Sequence, residues 1–566
     1  MDNEAFVRRL KVIRKLNQTN KDYVNNQLYK LVMSRPALIA GYEGIKSNKG
    51  ATTPSSDEQS LDGFGEARLV KLMDALKNES WQPRPARREM IPKPGKTTLR
   101  PLGIQGPEEK IVQSALLIVL ENVYEPIFSE FSYGFRPNRN THHALSDIAT
   151  KYDGVPFAIE GDIKGMYDNV NHHILIDLIS KKISDSRLIA LIWKLLRSGY
   201  MLEGKYFDSI NYVDEFKYSF VGTPQGSIVS PLLANIYLHE LDIFMHSLVV
   251  SPEKRTKIRT PAAKEIRTQI NQLARQVDKS PEGKGKELLV KSLKELKLRS
   301  ISICSYIDPE HRIYYHRYAD DFIIGIAAGK DFVEDVKKKV GEKLASIGLE
   351  LSQEKTKVTS LKEDKALFLG YYVSLSTSKK VLKMHPKGKT PFLKGTTGSF
   401  VKLQAPMDRL IQKLKTKSFC NSDGFPTPKR LWSVLPDHEI VNMYNLTLSG
   451  LFNYYSGSSY RNRLRRLLYI LKFSCAMTMA SKHRSSVSKI LSKHGNPMVV
   501  VYGDKGEKMM RFRQPETFKE KDIKWQLGKP PVDPFSPLGF KLTRSKILAF
   551  CCICGDSTRP VSLTAI

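Results

Sequence analysis

The five residues Tyr318-Ala319-Asp320-Asp321-Phe322 constrain this chain more than any other stretch. Two adjacent carboxylates sit between the apolar flanks Ile313-Tyr314-Tyr315 and Phe322-Ile323-Ile324. The β-branched and aromatic flanks predict two short strands, with the Asp pair at a hairpin turn. Neighbouring carboxylates repel each other and are costly to hold together unless a cation neutralises them. Hard oxygen donors of this kind suit Mg²⁺, which takes one or two carboxylates and keeps room for phosphates. A third carboxylate has a matching context: Asp162 ends the apolar run Val155-Pro156-Phe157-Ala158-Ile159 and precedes Ile163-Lys164-Gly165-Met166-Tyr167-Asp168. Three carboxylates delivered by two strand ends can hold two ions about 4 Å apart, as phosphoryl transfer requires. An Asp-Asp pair by itself is more often an ordinary solvated turn. Its surroundings must decide.

Those surroundings form an ordered series. Ile91-Pro92-Lys93-Pro94-Gly95 comes first with Arg100-Pro101-Leu102, then Ser132-Tyr133-Gly134-Phe135-Arg136-Pro137. Gly161-Asp162-Ile163-Lys164-Gly165, Gly222-Thr223-Pro224-Gln225-Gly226-Ser227 and the Asp-Asp turn follow, before Glu354-Lys355-Thr356-Lys357 and Phe368-Leu369-Gly370-Tyr371. In this order the motifs resemble the reverse transcriptases encoded by group II introns, the intron maturases, from about Trp81 to Gly495. The resemblance implies an α+β right-hand polymerase of fingers and palm with a helical thumb, the maturase domain X. It implies RNA-directed DNA synthesis from an RNA template, a DNA primer and dNTPs. It also implies binding of the group II intron RNA to assist splicing, with intron mobility as a further expectation. A splicing-only maturase with vestigial polymerase activity is the alternative, and the three intact carboxylates speak against it.

Residue roles implied by the resemblance follow position by position. Asp162, Asp320 and Asp321 are the catalytic metal ligands, for Mg²⁺. Lys93 and Arg100 grip the incoming triphosphate, where donor forks suit phosphate oxygens, unless they are plain surface cations. Tyr167 stands where most relatives carry Phe to exclude a ribose 2′-OH, with a core aromatic as the other reading. Gln225 touches the template–dNTP pair, and Gly226 permits close approach of the chain. Lys355 is the expected acid for pyrophosphate, on the reasoning that a buried lysine titrates easily. Phe368 to Tyr371 matches the primer grip.

Composition agrees with a phosphate-rich partner. The 566 residues carry 90 Lys and Arg against 58 Asp and Glu, a net charge of +32. That excess suits nucleic acid. No run of eighteen apolar residues spans a membrane. Six scattered cysteines form no disulfide framework, which points to a reducing compartment. Met1-Asp2-Asn3-Glu4-Ala5 reads as neither a secretory signal nor an acid-poor transit peptide. The expected location is the mitochondrion, with synthesis inside it; chloroplast and bacterial cytoplasm are alternatives.

Length implies several domains. Residues 1–64 read as a basic extension, amphipathic from Phe6 to Lys30, with a flexible connector from Ser47 to Ser60. Fingers and palm are expected over 65–385, interrupted by a Lys/Arg-rich insertion at about 251–300. Such an insertion is either a solvated helical spacer or an RNA contact. The thumb is expected over 386–500. There Ile440, Tyr444, Leu448, Leu451 and Tyr455 mark one helix face, followed by a second helix bearing Arg461, Arg463, Arg465 and Arg466. Ser474 to Arg484 matches the maturase thumb, making Lys482, His483 and Arg484 further RNA-binding candidates. Residues 501–566 read as a DNA-binding-like segment with a remnant of a Cys-rich endonuclease domain. The pair Cys551 and Cys554 cannot close a four-ligand zinc site alone.

Overall fold

The computed structural model describes residues 1–48, 50–92, 99–202, 205–207, 221–223, 226–249, 258–301, 303, 306–307, 311–377, 380–384, 392–396, 399–503, 507–514, 518, 524–543 and 545. Lys93, Gln225 and Cys551 to Cys554 lie outside them.

At the centre is an antiparallel sheet of four strands in the order Lys357–Ser360, Phe157–Asp162, Asp321–Ala327, Arg312–Tyr318. Both strands expected beside the Asp pair are present, and so is the one ending at Asp162. Side chains alternate across a strand, and here each set finds its own core. Ile159, Ile313, Tyr315, Ile324 and Ile326 join a large cluster with the helices Pro107–Tyr124, Ser230–Leu248 and Lys330–Ser346. Ala158 and Ile323 face the opposite way, into a second cluster with helix Thr141–Lys151 and the C-terminal helices. The sheet therefore separates two hydrophobic cores. Burying both faces explains its nearly continuous apolar strands.

A second sheet, Leu99–Ile104, Ala86–Pro92, Tyr200–Leu202 and Lys205–Phe207, lies upstream. A third unites Ala366–Phe368, Tyr371–Thr377 and Ser399–Gln404. Residues 399–404 thus pair across the boundary expected near 385. Glu160 ties this sheet to the central one, accepting from Thr359 Oγ1 at 2.6 Å and the Leu367 amide at 2.8 Å.

The amphipathic pattern of the C-terminal region is realised in helix Asp437–Tyr454, which buries Ile440, Tyr444 and Leu448; Tyr455 is buried just past its end. The next helix, Arg465–Lys482, begins four residues later than the first arginine of its motif, after a 3₁₀ turn over Arg461–Leu464. It buries Leu467, Ile470 and Leu471.

The amphipathic stretch from Phe6 begins with helix Asn3–Thr19, whose Phe6, Leu10 and Ile13 insert into the large core beside Pro107–Tyr124. One expectation fails for packing reasons. The connector from Ser47 is fastened, not loose: Ala51 and Leu61 are buried, Leu61 N–H donates to the Ala51 carbonyl, and Arg84 pairs with Asp57. Described residues past 500 also pack on other elements. Strands Val499–Tyr502 and Lys508–Arg511 pack on helix Asp437–Tyr454, while helix Ser536–Thr543 returns to the N-terminal helices. Polar composition hid these contacts because a few apolar anchors per segment suffice.

The insertion forms a hairpin of helices Pro261–Lys279 and Lys284–Ile301. Among its described residues only Ala263 and Ile266 are buried. No helix among the described residues is long and apolar enough to cross a membrane.

Candidate active site

Asp162 is the last residue of its strand and Asp321 the first of the neighbouring one, and the register sets them directly opposite each other. Like charges at a directly paired position destabilise a sheet. Asp320 lies in the intervening turn, between Ala319 and Asp321. Asp320 is pushed above its ordinary value by burial and then by Asp162, with Lys355 and Arg100 opposing. Asp321 is exposed to solvent. It is pushed up to about 6 by desolvation, then by Asp320 and Asp162, and its carboxyl is within hydrogen-bonding reach of Asp162. Three crowded oxygen donors of this type make a favourable place for a hard cation.

Lys355 Nζ donates to Asp162 Oδ2 at 2.6 Å. Its turn is tied to the end of the Asp162 strand, because Ser352 N–H donates to the Asp162 carbonyl and Thr356 N–H to the Ser352 carbonyl. The expectation of a buried, easily titrated lysine is corrected here. The side chain is 56% exposed, and its pKa is raised by the bond to Asp162. Among the described residues no group of three or more His, Cys, Asp or Glu side chains is gathered closely enough to hold a metal ion. The ammonium of Lys355 neutralises part of the cluster's negative charge.

Arg100 and Tyr167 also reach this place. Arg100 is exposed on strand Leu99–Ile104, and its charge acts on Asp320. The Tyr167 phenol is pushed up to about 12, by burial and then by Asp320, and the Tyr167 carbonyl accepts from the Thr223 amide at 2.7 Å. Gly226 adopts φ +107°, and a Cβ there would meet the Gly103 carbonyl oxygen at 2.5 Å. Gly226 thus packs closely against the strand that carries Arg100.

Beneath the turn lies a network that the motifs did not reveal. Arg317 is fully buried. It donates to Asp242 at 2.6 and 2.8 Å, to Asn235 Oδ1 at 3.0 Å and to Ser132 Oγ at 2.9 Å. A further bond of 3.0 Å reaches the carbonyl of Ala319, the residue before the Asp pair. Burial disfavours the guanidinium charge, yet Asp242 outweighs it and raises the pKa. Tyr315 donates to Asp242, and Asn235 Nδ2 to the Gly134 carbonyl. Ala319 holds φ +59°, a left-handed conformation costing about 1–2 kcal/mol in a residue with a Cβ. A Cβ on Gly134 would meet the Ala319 amide nitrogen at 2.4 Å, so only glycine lets this segment support the turn. Arg317 lies one residue before the first tyrosine of its motif. In a strand reading it passes for a surface cation, since buried arginine is rare.

In the C-terminal region Arg463 and Arg465 are exposed, stacked on Tyr460 and Phe518 respectively. Arg461 and Arg466 are half-buried, and Arg484 is exposed with φ +46°. Lys482 and His483 are engaged differently: both bind Asp437 at 2.8 Å, fastening helix Arg465–Lys482 to the first turn of Asp437–Tyr454.

Comparison with known proteins accords with this geometry. A family described as reverse transcriptase (RNA-dependent DNA polymerase) matches residues 91–251 and 288–373, and one described as type II intron maturase matches 398–542. The group II intron-encoded protein LtrA of Lactococcus lactis subsp. cremoris is 36% identical over 490 residues, 85% of this chain and 79% of LtrA. The chain belongs to the group II intron-encoded reverse transcriptase and maturase family. A 91 kDa protein in the cob intron of Schizosaccharomyces pombe is 35% identical over 498 residues, 86% of this chain and 58% of that one. The COX1/OXI3 intron 1 protein of Saccharomyces cerevisiae is 32% identical over 503 residues, 87% and 57% respectively. The chain is thus an RNA-directed DNA polymerase and a splicing maturase, with the palm and fingers of a reverse transcriptase. The unmatched stretch 252–287 falls in the basic insertion.

Proposed function

We propose that Asp162, Asp320 and Asp321 hold two Mg²⁺ ions, which when bound neutralise the carboxylates and stabilise charge on the reacting phosphate oxygens. The observation that carries this is the direct pairing of Asp162 with Asp321 beside Asp320, three repelling carboxylates at one sheet end. Arg100 and Lys93 bind the triphosphate of the incoming dNTP. The Tyr167 ring excludes a 2′-OH, and Gln225 with Gly226 steers the template base. Lys355 orients Asp162 and is the proton donor for the leaving pyrophosphate. Residues 386–500 serve as the thumb, in which Arg461, Arg463, Arg465, Arg466 and Arg484 bind the group II intron RNA. Lys482 and His483 hold that bundle together. Mitochondrial intron proteins among the relatives favour the mitochondrion, with a bacterial host as the alternative.

Primer extension on an RNA template tests the assignment. Wild-type protein should make cDNA in Mg²⁺, and Asp320→Ala should lose this activity while keeping its affinity for RNA. A variant as active as wild type would remove Asp320 from the chemistry.

A further inference from the structure

We propose that Phe425, Arg466 and Tyr469 form a stacking platform for unpaired RNA bases on the thumb surface. The proposal deepens the RNA-binding reading of this region and rests on it. Helix Arg465–Lys482 carries Arg466, Tyr469 and Phe473 at spacings of three and four residues, hence along one face. Leu467, Ile470 and Leu471 of the same helix are buried. Phe425 arrives from a loop whose shape is fixed: the Asn421 side chain accepts from the Asp423 and Phe425 amides at 3.0 and 2.8 Å. Gly424 turns the chain with φ +76°, and Arg466 Nη2 donates to its carbonyl at 3.0 Å.

The result is an ordered surface of rings around a cation. The Arg466 guanidinium lies 5.8 Å from the Phe425 ring centre and 5.3 Å from that of Tyr469. Tyr469 and Phe473 are 4.7 Å apart, centre to centre. Phe425 is 58% exposed and Tyr469 41%. Nearby Phe419 and Tyr444 are buried, so ordinary core packing does not account for the two outward rings. Holding a large apolar ring in water costs free energy unless something covers it.

Charge complementarity selects the occupant. Lys413 and Lys415 lie in the last turn of helix Met407–Thr416, and Lys415 and Arg466 together act on the Cys420 thiol, which places both cations beside this surface. Rings flanked by cations suit a base with its phosphate. Only an unstacked base offers its face, so the ligand is single-stranded or looped RNA rather than duplex.

Fluorescence anisotropy with a labelled single-stranded RNA and a matching RNA duplex tests the platform, using the full chain at several salt concentrations. Replacing both exposed rings, Phe425→Ala with Tyr469→Ala, should leave the melting temperature unchanged. Affinity for the single strand should fall at least about tenfold, since each stacked base contributes about 1–3 kcal/mol. The slope of log affinity against log salt should stay constant, because no cation is lost. Duplex affinity should change less than about twofold, and Phe425→Trp should retain binding with fluorescence quenched by RNA. Wild-type affinity in the double variant, or equal losses on both RNAs, would overturn the platform. A change of oligomeric state in the variant would assign the rings to a protein contact and overturn it too. Wild-type protein without RNA affinity would instead sink the RNA-binding reading, and the platform with it.

Discussion

Arg317 and Arg466 have the same side chain and opposite surroundings. The first is sealed under the Asp turn with Asp242, Asn235, Ser132 and the Ala319 carbonyl as partners. The second lies near the thumb surface between two rings and one carbonyl. A buried guanidinium contributes shape: it fixes where the turn sits and leaves no donor for a ligand. A guanidinium at the surface keeps donors and charge available for a partner. The palm and the thumb thus use positive charge for different ends, and changing either residue type separates them.

The strongest test breaks the buried pair. Asp242→Ala leaves Arg317 charged and uncompensated in the interior, which costs about 3–5 kcal/mol. A large fall in melting temperature is expected, together with loss of cDNA synthesis as the turn relaxes. Replacing both partners at once, Arg317→Met with Asp242→Leu, should restore part of the stability, since an apolar pair avoids the buried charge, while Asn235, Ser132 and Tyr315 lose their partners. It should not restore polymerisation, because the Ala319 carbonyl and Ser132 hydroxyl still lack their donor. Full activity in the double variant would reduce the network to packing. By contrast Arg466→Ala should cost clearly less, about 1–2 kcal/mol, the scale of its one hydrogen bond and its ring contacts. A large loss there would erase the distinction between the two arginines.

This difference also marks the limit of what the sequence discloses. The strands beside the Asp pair, the strand ending at Asp162 and the helix carrying Ile440, Tyr444 and Leu448 follow from apolar spacing, which is local. The pairing of Asp162 with Asp321 joins positions far apart in the chain, and their matching contexts announced it. Nothing local announced that Arg317 meets Asp242, or that Lys482 and His483 bind Asp437. A charged residue in a motif looks alike whether it faces solvent or an ion partner, because burial is decided by the packing of other elements. The same blindness made the polar segment Ser47 to Ser60 read as flexible, when Ala51 within it and Leu61 beside it are buried and bonded to each other.

The insertion offers a milder test. Its helices leave all their described residues but Ala263 and Ile266 at least partly exposed, which suits either a spacer or an RNA arm. Deleting 254–299 should leave the Mg²⁺-dependent extension of a short pre-annealed primer intact. It should flatten the dependence of log affinity for intron RNA on log salt, by about 0.7–0.9 for each phosphate contact removed. Filter binding across a salt series reads this. An unchanged slope makes the hairpin a spacer and leaves the thumb as the main cationic surface.

The smallest expected effect concerns the ion pair that closes the thumb. Burial alone would raise the Asp437 carboxyl, but Lys482 and His483 prevail and hold it below its ordinary value of 3.8. A carboxylate depressed in the folded state adds stability that is fully present above its unfolded value and disappears as pH falls through the folded one. The contribution should therefore be intact at neutral pH and be lost below about pH 4. Asp437→Asn keeps the size of the side chain and removes the charge. It should lower the melting temperature modestly at pH 7, with the gap to wild type narrowing progressively under acid. Lys482→Met should lower it in the same pH range, since it withdraws the same partner. Equal gaps at pH 7 and pH 3 would mean that the amide–carboxylate difference is steric and that the pair contributes no electrostatic stability. RNA affinity is the sharper discriminator: if Lys482 faces Asp437 rather than phosphate, the Asp437→Asn variant should leave the salt slope of binding unchanged.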